Sequence, residues 1–436
     1  MFYPAVVSIA FSLGLMVISP AAGYLAAVVS KPWIDATFDQ PFVFGLPPTQ
    51  VISAAVPMFV LGYIAFVARG ANSFSRMPYH RMWLAWIAYA AIFSAVIADD
   101  GRLLDGANIF FRHANGLVGF YAAQAWYREE KATKSFVIAL IVAGLFPMGT
   151  GVYEGITGHH WREVLGEGDL LRNVGMYHDA IAIRVYALQT LAALLMLTVL
   201  HLPRDWMWKA AVAVYSLVCV FVIYKALSKS GTLIIAAWAL MWPALRRTRH
   251  SLLVVTMVIV LGALILSTNI AEKTFWIFQK EIAAVTGTGD AARTFAGRWF
   301  IWEDWLSQWN EMSAWQKIFG SGRDSTGIHN DFLMILSHGG AIGLIIYVAL
   351  LTAISVGVVR NVIARATPWN VAACLMIVMW FIDSVGLVPS AYSAYQWFIW
   401  GFVGLALRKD WDGTRDHLSK TSSPATARVP LFSIEP

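Results

Sequence analysis

The chain has 436 residues, of which 58% are hydrophobic and only 13% are charged, and its formal net charge is +6. Soluble domains usually contain about 25% charged residues, so this composition, with a mean hydropathy of +0.61, excludes an ordinary water-soluble fold. The basic residues are scattered over short segments between apolar runs, which excludes nucleic acid as a partner and favours membrane lipids.

Apolar runs close to the roughly 20 residues that cross a bilayer recur along the sequence and predict an all-α polytopic integral membrane protein. We predict about twelve transmembrane helices in a single domain over residues 1–410. The predicted spans are 4–29, 49–68, 82–98, 107–126, 135–153, 179–200, 207–227, 231–245, 251–268, 340–358, 369–388 and 392–407. Residues 411–436 are polar and predict a flexible cytoplasmic tail.

Basic residues are concentrated in alternate short loops between the predicted spans. These loops carry Arg69, Arg76, Arg81, Arg128, Lys131, Lys134, Arg204, Lys209, Arg246, Arg247, Arg249, Arg360 and Arg365. The positive-inside rule assigns such loops to the cytoplasm. Because an even number of spans returns the chain to the same side, both termini are also predicted to be cytoplasmic.

Two loops on the opposite side, about 154–178 and 269–330, are long enough to be functional. The longer loop is rich in aromatic residues, which is not typical of a disordered segment. Trp299, Trp302 and Trp309 share a helical spacing, which favours a packed helix lying along the membrane interface. A surface that stacks against sugars is the alternative interpretation.

Charged residues on this non-cytoplasmic side are candidates for a binding site. The basic candidates are Arg112, Arg172, Arg184, Lys225, Lys229, Arg298 and Arg323. The carboxylates are Asp99, Asp100, Asp105, Glu154, Asp169, Asp179, Asp290, Glu303, Asp324 and Asp331. A single Lys or Arg is ordinarily a helix-end anchor, but several on one side predict an anionic head group such as a phosphate. The sequence leaves open whether Arg112 and Arg184 line the same cavity as His329.

His329 stands where the long loop returns to the membrane, directly before Asn330 and Asp331. An imidazole with a pKa near its usual value of about 6.5 can accept a proton from a hydroxyl at neutral pH. The alternative interpretation is a capping or hydrogen-bonding histidine. The two cysteines, Cys219 and Cys374, lie in apolar runs and give no metal-ligand spacing. The sequence also has no Gly-rich nucleotide loop, so we expect no metal and no cofactor.

Five short segments carry a resemblance to a known family. His329–Leu333, followed by Gly339, Gly343 and Leu344, resembles the signature of the O-antigen ligase and polymerase family of bacterial envelope proteins. Gly297–Trp302 and Ile318–Gly322 resemble the basic-aromatic element and the glycine turn that precede that signature. Two further segments, Arg172–Tyr177 and Ser228–Thr232, are similar to family segments, with Lys229 in place of the usual Arg.

The resemblance implies a GT-C-like, metal-independent membrane glycosyltransferase of the bacterial inner membrane with a periplasmic active face. Its donor would be a glycan on polyprenyl diphosphate, and its acceptor a sugar hydroxyl of a second lipid-linked glycan or of lipid A–core. The resemblance assigns His329 as general base and Arg298 as the second catalytic residue. The implied diphosphate-binding residues are Arg172, Lys229 and Arg184, and the supporting residues are Asn330 and Asp331.

Three functions remain in competition at this point. The amino-acid sequence of the His329–Leu333 segment favours a polymerase of repeat units over a ligase. A transporter would need broken helices and polar groups near the midplane. Pro147, Gly149 and Gly151 mark a possible break, but they lie close to the end of a predicted span, so the transporter is the weaker alternative.

Overall fold

The computed structural model describes residues 2–99, 102–164, 171–200, 206–246, 278–288, 297–322 and 326–408. Over these residues the chain is helical and contains no β-strand. The helices of the first half are α1 (Phe2–Ile18), α2 (Pro20–Asp35), α3 (Pro48–Phe66), α4 (His80–Asp99), α5 (Leu103–Ala125), α6 (Glu130–Ala143), α7 (Leu145–Thr157) and α8 (Ala180–Leu200). Those of the second half are α9 (Trp206–Lys225), α10 (Lys229–Arg246), α11 (Gln279–Val285), α12 (Arg298–Glu311), α13 (Ala314–Phe319), α14 (Asp331–Ala364), α15 (Pro368–Gly386) and α16 (Ser393–Ala406).

By length and composition, seven apolar segments among the described residues are able to cross a membrane. They are Pro48–Phe66, His80–Ala98, Glu130–Thr157, Ala180–Thr198, Trp206–Lys225, Asp331–Ala364 and Pro368–Gly386. The predicted all-α membrane class is therefore confirmed at this level. The predicted span 251–268 and the predicted tail 411–436 lie outside the described residues.

The first apolar run is two helices, so the prediction of a single span over 4–29 is wrong. Helices α1 and α2 pack antiparallel, with the Trp33 indole donating a hydrogen bond to the Ser8 hydroxyl at 3.0 Å. The chain reverses at Ser19, and Pro20 begins the second helix, where its missing N–H costs nothing. Close packing of the hairpin requires Gly23, because a Cβ there would lie 2.3 Å from the backbone nitrogen of Met16.

Phe2 and Arg408, the first and last described residues, lie at opposite ends of the helix bundle. The ring of Phe2 packs on Phe42, with 5.8 Å between centroids, in the connection between α2 and α3. Arg408, the last described residue, donates to the carbonyl of Tyr127 at 2.9 Å, in the connection between α5 and α6. Because α3 and α5 each run from one end of the bundle to the other, these two connections lie at opposite ends.

Two of the basic short loops lie together at one end of the bundle. The guanidinium of Arg128 donates to the carbonyl of Ala71, and Tyr121 donates to the carbonyl of Asn72 at 2.7 Å. We call residues 67–79, 126–129 and Arg408 the basic-loop end, and the opposite end, where α8 begins and α15 finishes, the site end.

A break in α14 shapes the site end. Gly340 has φ +63° and ψ −165° inside this helix, a backbone conformation that strongly favours glycine. The Ile318–Gly322 turn lies against the break, and the Ser321 amide donates to the carbonyl of Ser337 at 2.9 Å. The first part of α14, which follows His329, is therefore held between this turn and α15.

Candidate functional site

The supporting residues Asn330 and Asp331 fix the start of α14. The Asn330 side chain accepts a hydrogen bond from the Leu333 amide at 3.0 Å, which is an N-cap, and donates to the carbonyl of Val385 at 3.2 Å. Asp331 is fully buried and accepts from the Ser390 hydroxyl at 2.5 Å and from the Ser390 amide at 3.2 Å. Asn330 therefore attaches the His329 junction to the end of α15, and Asp331 attaches it to the segment between α15 and α16.

His329 adopts the left-handed conformation, with φ +52°, which is uncommon for a residue other than glycine. Its ring is half-buried and makes no hydrogen bond within the described part of the chain. Burial lowers the pKa of the His329 imidazole below its usual value, the Arg298 guanidinium lowers it further, and Asp179 raises it in part. Burial and the Arg298 charge both favour the neutral form of the ring, which is the form that accepts a proton.

Arg298 begins α12, a helix that contacts the residue directly before His329. A Cβ built on Gly386 would lie 3.1 Å from Nη1 of Arg298, so the guanidinium packs against the last residue of α15. One turn along α12, the Trp302 indole donates to the carbonyl of Ile328 at 2.8 Å. The helix predicted from the tryptophan spacing is thus confirmed, and it is attached to the residue that precedes His329.

Arg184 is not accessible to a substrate, which corrects its assignment as a diphosphate-binding residue. It is 1% exposed, and its two terminal nitrogens lie 2.8 and 3.0 Å from the carboxylate oxygens of Asp383 on α15. It also donates to Ser230 on α10, and Tyr395 donates to the same carboxylate at 2.7 Å. Arg184 therefore joins α8, α10 and α15 in the interior of the bundle.

Arg172 and Lys229 lie together at the turn between α9 and α10. Nε of Arg172 donates to the carbonyl of Ala226 at 3.0 Å. The ammonium of Lys229 is paired with Glu281 on α11, at 2.7 and 2.9 Å. With the Arg184–Ser230 contact, this turn brings together the three predicted diphosphate-binding residues, although Lys229 and Arg184 are already neutralised by carboxylates.

A cavity of about 360 Å³ opens at the site end next to this cluster, between α2, α3, α5 and α8. Its charged lining residues are Lys31, Asp35, Arg112 and Asp179. Tyr392 also lines the cavity, and it lies two residues after Ser390, which binds Asp331 at the His329 junction. Arg112 therefore lines this cavity, whereas Arg184 does not.

Most residues that line this cavity were not predicted as site residues, among them Lys31, Asp35 and Tyr392. Lys31 and Asp35 are four residues apart on α2 and form an ion pair, a spacing that marks a pair on one helix face. Tyr392 carries no charge or motif that would identify it from sequence. The candidates Asp100, Asp169, Asp290, Arg323 and Asp324 lie outside the described residues.

Within the described ranges, no group of three or more His, Cys, Asp or Glu side chains is arranged to hold a metal ion. A scan against protein-family models finds no match to this sequence, and a search of curated proteins finds no significant match. Function is therefore inferred from the sequence motifs and from the geometry of the site end.

Proposed function

We propose that this protein is a metal-independent, inverting glycosyltransferase of the bacterial inner membrane that uses a glycan on polyprenyl diphosphate as donor. The observation that carries the proposal is the position of His329. It is a half-buried imidazole directly after Ile328, to which the helix that begins at Arg298 is hydrogen-bonded, at the end of the bundle that holds a cavity of about 360 Å³. A base, a cation and a cavity are the components that such a transfer requires.

In the proposed reaction, the oxygen of an acceptor hydroxyl attacks the anomeric carbon of the donor sugar. His329 takes the hydroxyl proton as the new glycosidic bond forms. The bond between the anomeric carbon and the phosphate oxygen breaks at the same time, and its electrons leave with the diphosphate. Displacement from the opposite face inverts the anomeric configuration, and the free energy comes from the sugar–diphosphate bond.

Arg298 would stabilise the negative charge that develops on the departing diphosphate. Arg172 and Lys229, at the neighbouring α9–α10 turn, would hold the rest of the diphosphate, and Lys229 would exchange its Glu281 partner for the lipid. Arg184 contributes by orienting the helices that carry these groups.

The proposed arrangement is GT-C-like, with about twelve or more spans once the α1–α2 hairpin is included. The basic-loop end would face the cytoplasm, by the positive-inside rule, and the site end would face the periplasm. The C-terminus would then be cytoplasmic and Phe2 periplasmic.

Between the two acceptors we favour a second lipid-linked glycan, which makes the enzyme a polymerase of O-antigen or exopolysaccharide repeat units. The alternative is an O-antigen ligase that transfers the finished glycan to lipid A–core. A polysaccharide or lipid transporter is the weaker alternative. One feature bears against it: the Glu130–Thr157 segment is interrupted only at Gly144, whose backbone stays helical, whereas a transporter's broken helix is unwound.

The test uses purified protein in nanodiscs with a polyprenyl-diphosphate-linked repeat unit, with and without lipid A–core, and products resolved on a gel. A ladder of growing glycan without core is the result expected of a polymerase. A single shift of the core only when both lipids are present would identify a ligase. Absence of any product, with lipid binding intact, would contradict the glycosyltransferase and favour the transporter.

A further inference from the structure

The cavity at the site end has the size and lining of a sugar site. Its volume of about 360 Å³ falls in the range of about 300–1,000 Å³ that is usual for small-molecule pockets. Aromatic rings and neutral amides make up much of its wall, including those of Phe111, Tyr392, Gln50 and Asn108. Flat rings stack against the apolar faces of sugars, and amides exchange hydrogen bonds with their hydroxyls.

On one side of the cavity, the charged groups of Lys31 and Asp35 already have hydrogen-bond partners within the protein. The Asp35 carboxylate accepts hydrogen bonds from Lys31, from Thr49 and, at 2.6 Å, from the Tyr186 hydroxyl. Lys31 also donates to Thr49 at 3.2 Å. The charges of Lys31 and Asp35 cancel each other, so this side offers a ligand no net charge.

Arg112 is different, because no group among the described residues forms a salt bridge with it. Its Nη1 is buried and has no hydrogen-bond partner among the described residues. The Arg112 backbone is fixed, because the side-chain amide of Gln396 donates a hydrogen bond to the Arg112 carbonyl at 2.8 Å. A buried guanidinium N–H is costly to leave without a partner, and because Arg112 lines the cavity, an anionic ligand bound there would supply one.

Asp179 does not neutralise Arg112. One oxygen of Asp179 caps α8 by accepting from the amides of Ile181 and Ala182, at 2.8 and 3.2 Å. Both Asp179 and Arg112 line the cavity, yet they form no salt bridge in the described structure. A diphosphate would bring at least two negative charges to a cavity with one unpaired guanidinium and a fixed carboxylate. A ligand with a single negative charge, bound by Arg112, matches the charge of the cavity lining better.

We propose that this cavity is a glycan subsite in which Arg112 binds an anionic substituent of a sugar, a carboxylate or a phosphate. A guanidinium matches both groups because its paired N–H donors fit their paired oxygens. The inference rests on the proposed function for the identity of the ligand as a glycan, since the cavity adjoins the His329 site. What it adds to the proposed function is that one sugar of the glycan is acidic.

The test is a binding measurement that needs no turnover. Wild-type protein in detergent is titrated with methyl glucuronide, glucose 1-phosphate, methyl glucoside and inorganic phosphate, and the dissociation constant of each is measured. We expect the two anionic sugars to bind at least about tenfold more tightly than methyl glucoside. The tighter of the two identifies the substituent as carboxylate or phosphate.

The Arg112→Gln variant should lose this preference and bind the anionic and neutral sugars about equally, whereas Arg112→Lys should retain part of it. The matched control is Arg76→Gln, which changes an exposed arginine at the basic-loop end and should bind like wild type. Each variant is first checked for a single symmetric peak in size-exclusion chromatography. If Arg112→Gln fails this check, Arg112→Lys decides the result.

Equal binding of neutral and anionic sugars by wild type would overturn the inference and leave glycosyl transfer untouched. Inorganic phosphate bound as tightly as the sugars would also overturn it, by reducing the cavity to a simple anion site. Preference for the anionic sugar, together with failure to form product from lipid-linked glycan, would instead retain the acidic-sugar site and reject the transferase.

Discussion

Arg184 of α8 and Asp383 of α15 form a two-pronged ion pair, with nitrogen–oxygen distances of 2.8 and 3.0 Å, in the interior of the helix bundle. The two residues are 199 positions apart in sequence, and both are almost completely buried. Such a pair contributes little net stability, but removal of one partner leaves the other charge unpaired in a medium of low polarity.

We predict that Arg184→Ala destabilises the protein by about 3–5 kcal/mol, seen as a large drop in the unfolding temperature in detergent. Asp383→Asn should also be destabilising. The double variant Arg184→Leu with Asp383→Leu should recover much of the loss, because it buries no charge. An Arg184→Ala protein with unchanged unfolding temperature and lost lipid binding would instead support the original assignment of Arg184 to the diphosphate.

The pH dependence of the reaction should reveal the two charges that act on His329. Activity requires the neutral imidazole, so it falls as the pH drops through the pKa of His329. Asp179 raises that pKa and Arg298 lowers it. The acidic limb of kcat/KM should therefore move to lower pH in Asp179→Asn and to higher pH in Arg298→Gln.

Asparagine retains the cap of α8, so the Asp179 variant should keep its fold. Asp39→Asn is the control, because Asp39 is paired with Arg162 in an exposed loop and should leave the pH profile in place. Arg298→Gln should also reduce kcat by about a hundredfold, as the loss of a group that stabilises developing charge commonly does. If both variants moved the acidic limb in the same direction, His329 would not be the titrating base.

The hydrogen bond from Trp302 to the carbonyl of Ile328 should position His329. Trp302→Phe keeps an aromatic ring but removes the donor, and we expect kcat to fall by about fivefold, the equivalent of one hydrogen bond. Trp315→Phe is the matched control, since Trp315 is 70% exposed. Equal kinetics of the two variants would show that the Trp302 contact does not position the base.

The break in α14 should depend on Gly340. In Gly340→Ala, the new Cβ would lie 2.3 Å from the carbonyl oxygen of Ile318, on a backbone with φ +63°. We predict destabilisation by about 1–3 kcal/mol or more. Gly14→Ala, where nothing lies within 4 Å, should be neutral or slightly stabilising. Thermal unfolding that ranked the two variants in the opposite order would contradict this account of the break.

The sequence predicted local features well. The spacing of Trp299, Trp302 and Trp309 predicted a helix that the structure has at Arg298–Glu311, because helical periodicity is a property of neighbouring residues. The glycine turn and the His329 junction were also located from short motifs, and the structure brings them to one end of α14. The proposed place of the tryptophan helix at the membrane interface stays a prediction.

Features that depend on distant residues were not predictable. Hydropathy does not distinguish one long span from the α1–α2 hairpin, because the reversal at Ser19 occurs inside a continuous apolar run. The accessibility of Arg184 depends on Asp383, a partner that no local pattern reveals. The cavity likewise combines α2, α3, α5 and α8, which only the tertiary fold brings together.

The most direct test of the central claim compares His329→Ala with wild type and with His80→Ala, a histidine at the basic-loop end. Each protein is supplied with the polyprenyl-diphosphate-linked repeat unit, and both its binding and its conversion to product are measured. We predict that His329→Ala binds the lipid and unfolds at the wild-type temperature but loses turnover by at least about a hundredfold, while His80→Ala remains active. Wild-type turnover by His329→Ala would contradict the assignment of His329 as the base.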